Sequence, residues 1–293
     1  MITHTFNQIA AHTWWLSADS TTDRPTLGAI CGSKGTLLVD TGNSPAHAQT
    51  LLNELQKHNL PAPIMVALTH WHWDHVFGSS VFDLPTFAHN ETKRIVSIMA
   101  NLDWSDAALD QRVANGTEVA FCRDHMQLEL PDRSELVIRP PDIGFETSVE
   151  IDLGGVTCRI EHVGGDHSAD SSIIHIVEDK IVFLGDCIYH DLYHGPDRYT
   201  LGEVVPLFDR LLALDAAFYL AGHHDAPLSH SDMLAEADLL KTIGRLVTNH
   251  YPDRESITIL LAERFATAQD EDHIEIADAF IAGLLLTQAN PIL

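Results

Sequence analysis

The densest chemistry in the sequence lies at Thr69-His70-Trp71-His72-Trp73-Asp74-His75, where three imidazoles and a carboxylate fall within six residues behind the apolar run Ile64–Leu68. Neutral imidazole and carboxylate suit Zn²⁺ well and accept other first-row metals less selectively. His70 and His72, two residues apart, can converge on one ion as the chain leaves a strand. Asp74 and His75 follow after a turn and would reach a second ion. A lone histidine is more often packed or solvated, but four side chains of ligand type beside two tryptophans call for a metal.

Such residues need a rigid platform. Ile64–Leu68 reads as a buried strand, which puts the cluster at a strand C-terminus, where α/β proteins tend to place their chemistry. Upstream, His12–Leu16, Leu27–Cys31 and Thr36–Val39 read as strands, with Gly32-Ser33-Lys34-Gly35 as a hairpin. Asn43-Ser44-Pro45 opens a helix with a polar cap and an early proline. That helix runs to about His58, with Leu51, Leu52 and Leu55 on one face, and so completes a βαβ unit.

Downstream, Val76-Phe77-Gly78 fits a short helix, Pro85–Ala88 a strand and Lys93–Asn101 a helix, with a second helix after Asp103-Trp104-Ser105-Asp106. The mixed, acidic stretch of residues 93–140 is expected to form an inserted helical lid or side wall that sets substrate choice. It includes His125, which has no recognisable partner. Val149–Leu153 and Val156–His162 flank a Gly154-Gly155 turn, and Ser172–Val177 with Lys180–Leu184 make the next strand pair. Leu207–Leu214 reads as a helix and Ala217–Leu220 as a strand. Residues 230–293 read as a C-terminal extension of two or three helices, including Asp232–Thr248 and Ile274–Thr287.

With the elements in this order the chain resembles the metallo-β-lactamase superfamily. His70-Trp71-His72-Trp73-Asp74-His75 is similar to its His-x-His-x-Asp-His motif. Leu37-Leu38-Val39-Asp40-Thr41-Gly42 resembles the upstream Asp motif, and Gly164-Gly165-Asp166-His167-Ser168 the third-ligand loop. Phe183-Leu184-Gly185-Asp186 resembles the bridging-carboxylate motif and Ala221-Gly222-His223 the last-ligand motif. The resemblance implies an α/β fold, a four-layer αβ/βα sandwich forming a single domain over residues 1–293. It also implies two Zn²⁺ per chain, with iron or manganese acceptable to the same ligands. One ion would take His70, His72 and His167, the other Asp74, His75 and His223, with Asp186 between them and Asp40 supporting the ligands from outside. Asp40 making only a local turn is the competing reading, and His162 is a weaker rival to His167 because it lies within a strand pattern.

The implied activity is hydrolysis of an ester-like bond in a small-molecule substrate (lactone, thioester or ester) by hydroxide generated between the metals. Asp74 would orient the hydroxide and pass its proton to the leaving group. Tyr189, three residues after Asp186, resembles the tyrosine of lactone-hydrolysing members whose hydroxyl contacts the substrate carbonyl. His190 and His194 are rival donors, and packing is the other role open to Tyr189. Cys187 competes with Asp186 as a ligand, His224 stands where a glycine is common, and Trp71 and Trp73 could wall a cleft or pack in the core. A β-lactam hydrolase is an alternative, weakened because no lysine follows Asp186 closely to hold a substrate carboxylate. A non-catalytic metal-binding protein on the same scaffold is the other.

Composition bounds these readings. The 293 residues carry 17 Lys and Arg against 42 Asp and Glu, a formal charge of −25 that disfavours nucleic acid as a partner. The four cysteines, Cys31, Cys122, Cys158 and Cys187, form no CxxC pair. Neither a secretory signal nor a membrane-length apolar run is present, so a cytoplasmic protein with no membrane partner is expected. The apolar run Phe280–Leu286 exceeds what one covering helix needs and could bury a homodimer contact through the C-terminal helices.

Overall fold

The hairpin expected between Gly32 and Gly35 forms, with those two glycines paired across it, inside the larger of two sheets. The computed structural model describes residues 4–265 and 271–289. In it this sheet runs β1 (Phe6–Gln8), β2 (Thr13–Leu16), β3 (Leu27–Gly32), β4 (Gly35–Val39), β5 (Pro63–Ala67), β6 (Thr86–His89) and β7 (Ile143–Phe145), each beside its sequence neighbour. Pairing is antiparallel as far as β4 and parallel from β4 to β7. The change of direction requires a crossover, supplied by α1 (Pro45–Lys57). Ser44 caps that helix by accepting the His47 N–H at 3.0 Å, and Ala48, Leu51 and Leu55 are buried.

The second sheet has the order β13-β12-β11-β10-β9-β8, built from β8 (Ser148–Asp152), β9 (Thr157–His162), β10 (Ser172–Ile176), β11 (Ile181–Gly185), β12 (Phe218–Ala221) and β13 (Leu228–Ser229). Its only parallel pair among the described residues is β11 with β12. The period-2 alternation of a strand assigns each face. On β11, Ile181 and Phe183 join Ile30, Leu37 and Ile174 between the sheets, while Val182 and Leu184 point the other way.

The outer face of the first sheet is covered by α1, α2 (Trp73–Val76), α3 (Asn90–Met99), α4 (Asp106–Ala114) and α5 (Ala120–Glu129), which contribute Leu51, Val76, Val96, Leu109 and Met126 to one core. The outer face of the second carries α6 (Leu201–Leu212), α7 (His230–His250), α8 (Arg254–Phe265) and α9 (Glu271–Ala289), with Phe208, Leu240, Ile243 and Phe280 buried there. Helices, sheet, sheet, helices is the four-layer αβ/βα sandwich expected from the sequence. No helix among the described residues is long and apolar enough to cross a membrane.

Two departures have physical causes. The α6 helix begins at Leu201, six residues before the expected Leu207, and keeps Pro206 inside it. Its start is fixed from outside, where the Asp166 carboxylate accepts both the N–H and the hydroxyl of Thr200. The α5 helix had no counterpart in the sequence pattern, because only Cys122 and Met126 are buried along it and Phe121 faces out. In the run Phe280–Leu286, Phe280 and Ile281 are buried in the core that α7 also lines, while Leu285 and Leu286 are exposed.

Candidate metal centre

Two parallel strand pairs, one in each sheet, end at the same rim of the sandwich. β4 and β5 deliver Asp40 and the segment from Thr69 to His75, and β11 and β12 deliver Asp186 and His223. His167 comes from the β9–β10 loop, where Gly164 (φ +68°) and Gly165 (φ +120°) take conformations that a side chain would resist. Gly222 is fixed by space, since a Cβ there would overlap Asp186 Oδ1.

The seven side chains form two adjoining groups. His70, His72 and His167 make one, and Asp74, His75, Asp186 and His223 the other, with ligand atoms within 4.8 Å of one another in each. Asp186 Oδ2 stands 3.3 Å from His223 Nε2, 3.4 Å from both His75 Nε2 and His167 Nε2, and 3.9 Å from His70 Nε2. It therefore faces both groups. Asp74 Oδ2 lies 3.1 Å from His75 Nε2 and 3.2 Å from His223 Nε2.

The second ring nitrogens of His70, His75, His167 and His223 have partners that fix tautomer and orientation. His75 Nδ1 donates to Asp40 Oδ2 at 2.8 Å. The Thr69 hydroxyl donates to the same oxygen at 2.9 Å, which leaves its lone pair to accept from His70 Nδ1 at 3.0 Å. His167 Nδ1 donates to the His190 carbonyl at 3.0 Å, and His223 Nδ1 lies 3.3 Å from Asp23 Oδ1. Asp40 holds a left-handed backbone (φ +59°) at the end of its strand while its Oδ1 accepts the Thr69 N–H at 2.7 Å.

Electrostatics act differently on the two groups. Burial, reinforced by neighbouring imidazoles, holds His70 and His72 well below the usual imidazole range, and burial also lowers His167, so all three favour the neutral ring a metal needs. Burial opposes the charged form of His75, but Asp74, Asp186 and Asp40 outweigh it and raise that group, as Asp186 and Asp74 do for His223. Against their own burial, Asp74 and Asp186 are held far below the carboxylate range by His75 and His223. With these rings bonded through Nδ1, His70 Nε2, His75 Nε2 and His167 Nε2, together with Asp186 Oδ1, are buried without a hydrogen-bond partner. Orphaned buried acceptors are costly. Four of them converging in a set of imidazoles and carboxylates fit divalent metal ions.

The other sequence candidates fall nearby with different surroundings. Cys187 joins neither group: it is buried among apolar side chains, and burial together with Asp186 pushes its thiol up. His224 packs near Tyr189 with ring centroids 5.7 Å apart and is also outside both groups. The Tyr189 hydroxyl accepts the His223 N–H at 3.2 Å. His194 instead pairs with Asp191 at 3.0 Å. Trp73 is core and also touches the cavity beside the metal groups, while Trp71 packs on Tyr193 and His72.

Sequence reasoning missed Asp23 and the wall of that cavity, a hollow of about 450 Å³. Asp23 has φ +59° in a polar turn, a conformation Asp adopts in many surface loops, so nothing local marks it. Burial, followed by the nearby Asp74 carboxylate, pushes its carboxyl up to about 6. Both neighbours of Asp23 in sequence are clamped by Glu129 at the end of α5. Arg24 Nη2 donates to Glu129 Oε1 at 2.7 Å, and the Thr22 hydroxyl donates to Oε2. The clamp ties the loop carrying Asp23 to the helix carrying the cavity wall.

Comparison with known proteins gives a consistent picture. A family model described as the metallo-beta-lactamase superfamily matches residues 26–223. An uncharacterized protein of Mycobacterium tuberculosis is 29% identical over 203 residues, covering 64% of this chain and 79% of its own length. Among solved structures the chain is similar to a metallo-beta-lactamase from Pontibacter korlensis (17% identity, TM-score 0.55, 80% of this chain and 98% of that one). It is also similar to a metallo-beta-lactamase family protein from Thermus thermophilus (19%, TM-score 0.56, 90% and 92%). A third is the stereoselective inverting sec-alkylsulfatase Pisa1 from Pseudomonas sp. (13%, TM-score 0.60, 84% and 43%). At these identities the structural likeness establishes the fold alone.

Proposed function

The chain belongs to the metallo-beta-lactamase superfamily, and from that premise we propose that it is a dinuclear zinc hydrolase acting on an ester-like bond of a lactone, thioester or ester. The observation that carries this reading is Asp186, whose carboxylate reaches both ligand groups. His70, His72 and His167 would hold one ion and Asp74, His75 and His223 the other, with Asp186 shared. Bound there, such ions supply Lewis acidity toward a carbonyl and acidify water enough to make hydroxide available near neutral pH.

The chain's own residues supply the rest. The Asp74 carboxylate, kept ionised by its imidazole neighbours, can hold a proton taken from the attacking water and return it to the leaving group. Tyr189 accepts a backbone N–H, so its own hydrogen is free for a developing oxyanion. Burial and the Asp186 carboxylate push that phenol well above its usual value, which keeps it a donor. A β-lactam hydrolase fits less well, because no lysine or arginine lines the cavity beside the ligands to receive a substrate carboxylate. A non-catalytic metal-binding protein would have no use for that cavity. The four cysteines are all free, which supports a cytoplasmic location.

The test is metal content per chain for wild type and Asp186→Ala, followed by a panel of lactones, thioesters, esters, a β-lactam and a sec-alkyl sulfate. Two equivalents of zinc in wild type, falling in the variant, with hydrolysis of the acyl substrates, is the expected result. One equivalent or fewer, unchanged by the substitution, removes the shared-carboxylate assignment. Full loading without turnover of any substrate returns the non-catalytic alternative.

A further inference from the structure

The 450 Å³ cavity has a polar floor and an apolar wall. Asp74, Asp186 and His223 stand on the floor, while Phe121 and Cys122 from α5, with Leu192 and Tyr193 from the loop after Tyr189, form much of the wall. The volume lies within the range of pockets that enclose small organic ligands. A larger hollow of about 900 Å³ shares only His167 with the ligand set and lies against α6 and α9.

The 450 Å³ cavity is lined by the carboxylates of Asp23, Asp74 and Asp186, and none of its lining residues is lysine or arginine. Besides the candidate ligands, the bases lining the cavity are two histidines. His125 Nδ1 lies 2.9 Å from the Phe121 carbonyl, and His190 Nε2 3.5 Å from Asp197. A second anionic group on a substrate whose reacting carbonyl sits at the metals would therefore be desolvated without a cation to meet it.

We propose that this cavity is an acyl-chain pocket, selecting substrates whose acyl part is uncharged and apolar, with Phe121 as a specificity-determining wall residue. The bond cleaved rests on the hydrolase reading above, whereas the preference for the chain rests on the wall and can be measured without turnover. Burial of each additional methylene contributes roughly fourfold in affinity.

The experiment is calorimetric titration of zinc-loaded protein with three hydroxamates, whose common head group grips the metal and aims the tail into the cavity. They are acetohydroxamic acid, octanohydroxamic acid and suberic acid monohydroxamate, the last two matched in length and differing by a terminal carboxylate. Octanohydroxamate is expected to bind at least tenfold tighter than either of the others. Phe121→Ala should lose severalfold for the octanoyl compound alone, with unchanged metal content, and Phe121→Lys should favour the suberic compound. Equal affinity of the long and short neutral compounds, tighter binding of the suberic compound to wild type, or no binding at all overturns the pocket. Hydrolysis of octanoyl and acetyl thioesters is measured in parallel. Selective octanohydroxamate binding without turnover of these thioesters or of any acyl substrate in the panel above leaves the pocket standing and sinks the hydrolase reading, whereas turnover without selectivity between the compounds does the reverse.

Discussion

Asp23 Oδ1 lies 3.3 Å from Nδ1 of His223, giving the most exposed of the ligand imidazoles a carboxylate partner of its own. Asp40 does the same for His75 from a different loop. Each carboxylate fixes a ring so that Nε2 points at the ligand set. Asp23 is held in place by the clamp that Glu129 makes on Thr22 and Arg24. Metal retention and the position of the cavity wall are therefore linked through one buried glutamate.

Asp23→Asn should weaken metal binding by about 10–100-fold, the usual effect of losing such an orienting partner. The measurement is chelator competition monitored by metal content. The metal-free protein should keep its Tm, because burial already penalises the Asp23 charge. Unchanged metal affinity would reduce the contact to a surface pairing.

Glu129→Gln leaves Arg24 without its ion partner, with side chains only 2% and 9% exposed at the two residues. Breaking one side of such a buried pair costs about 3–5 kcal/mol, a fall in Tm of roughly 10 °C for a chain of this size. Metal affinity should fall as well, because Asp23 lies between the two clamped residues. Scanning calorimetry and chelator competition on the same samples check both halves, and loss of stability with intact metal affinity would uncouple the clamp from the centre.

The contrast between these residues and the metal ligands explains what was readable from sequence. His70 to His75 were legible because consecutive residues at a strand end stay together in space, and the apolar run before them marks the strand. His167, Asp186 and His223 were legible only through their motifs. In space they are brought together by two sheets that share a rim, a relation with no local trace. Asp23 lies in a polar stretch and Glu129 between Leu128 and Leu130, and their role depends on contacts across 105 residues of chain between Arg24 and Glu129. The α5 helix escaped notice because its inward face is two side chains wide, and the start of α6 because a carboxylate from another loop caps it across Thr200.

Gly222→Ala should remove metal from the second ligand group while sparing the fold. The added Cβ overlaps Asp186 Oδ1, and the cheapest relief is rotation of that carboxylate away from both groups. The expected outcome is a circular dichroism spectrum like that of wild type and a metal content reduced by one equivalent or more. Wild-type metal content would mean that Asp186 is not needed where the geometry puts it.

Glu236 offers a pH test remote from the metal ligands. It lies on α7, and burial raises its carboxyl above the 4.5 of a free side chain. The folded state thus holds the proton more tightly than the unfolded state does, and the stability this contributes is present below 4.5 and lost as pH rises through the folded value. Glu236→Gln removes that dependence and keeps the shape. The variant should therefore melt higher than wild type at neutral and alkaline pH, with the advantage vanishing in acid. A relief of about 1 kcal/mol moves Tm by roughly 2–4 °C, which scanning calorimetry across a pH series resolves. A lower Tm at neutral pH would mean that ionised Glu236 is stabilised by its surroundings despite its burial, and an advantage that persisted in acid would mean that the gain does not come from its titration.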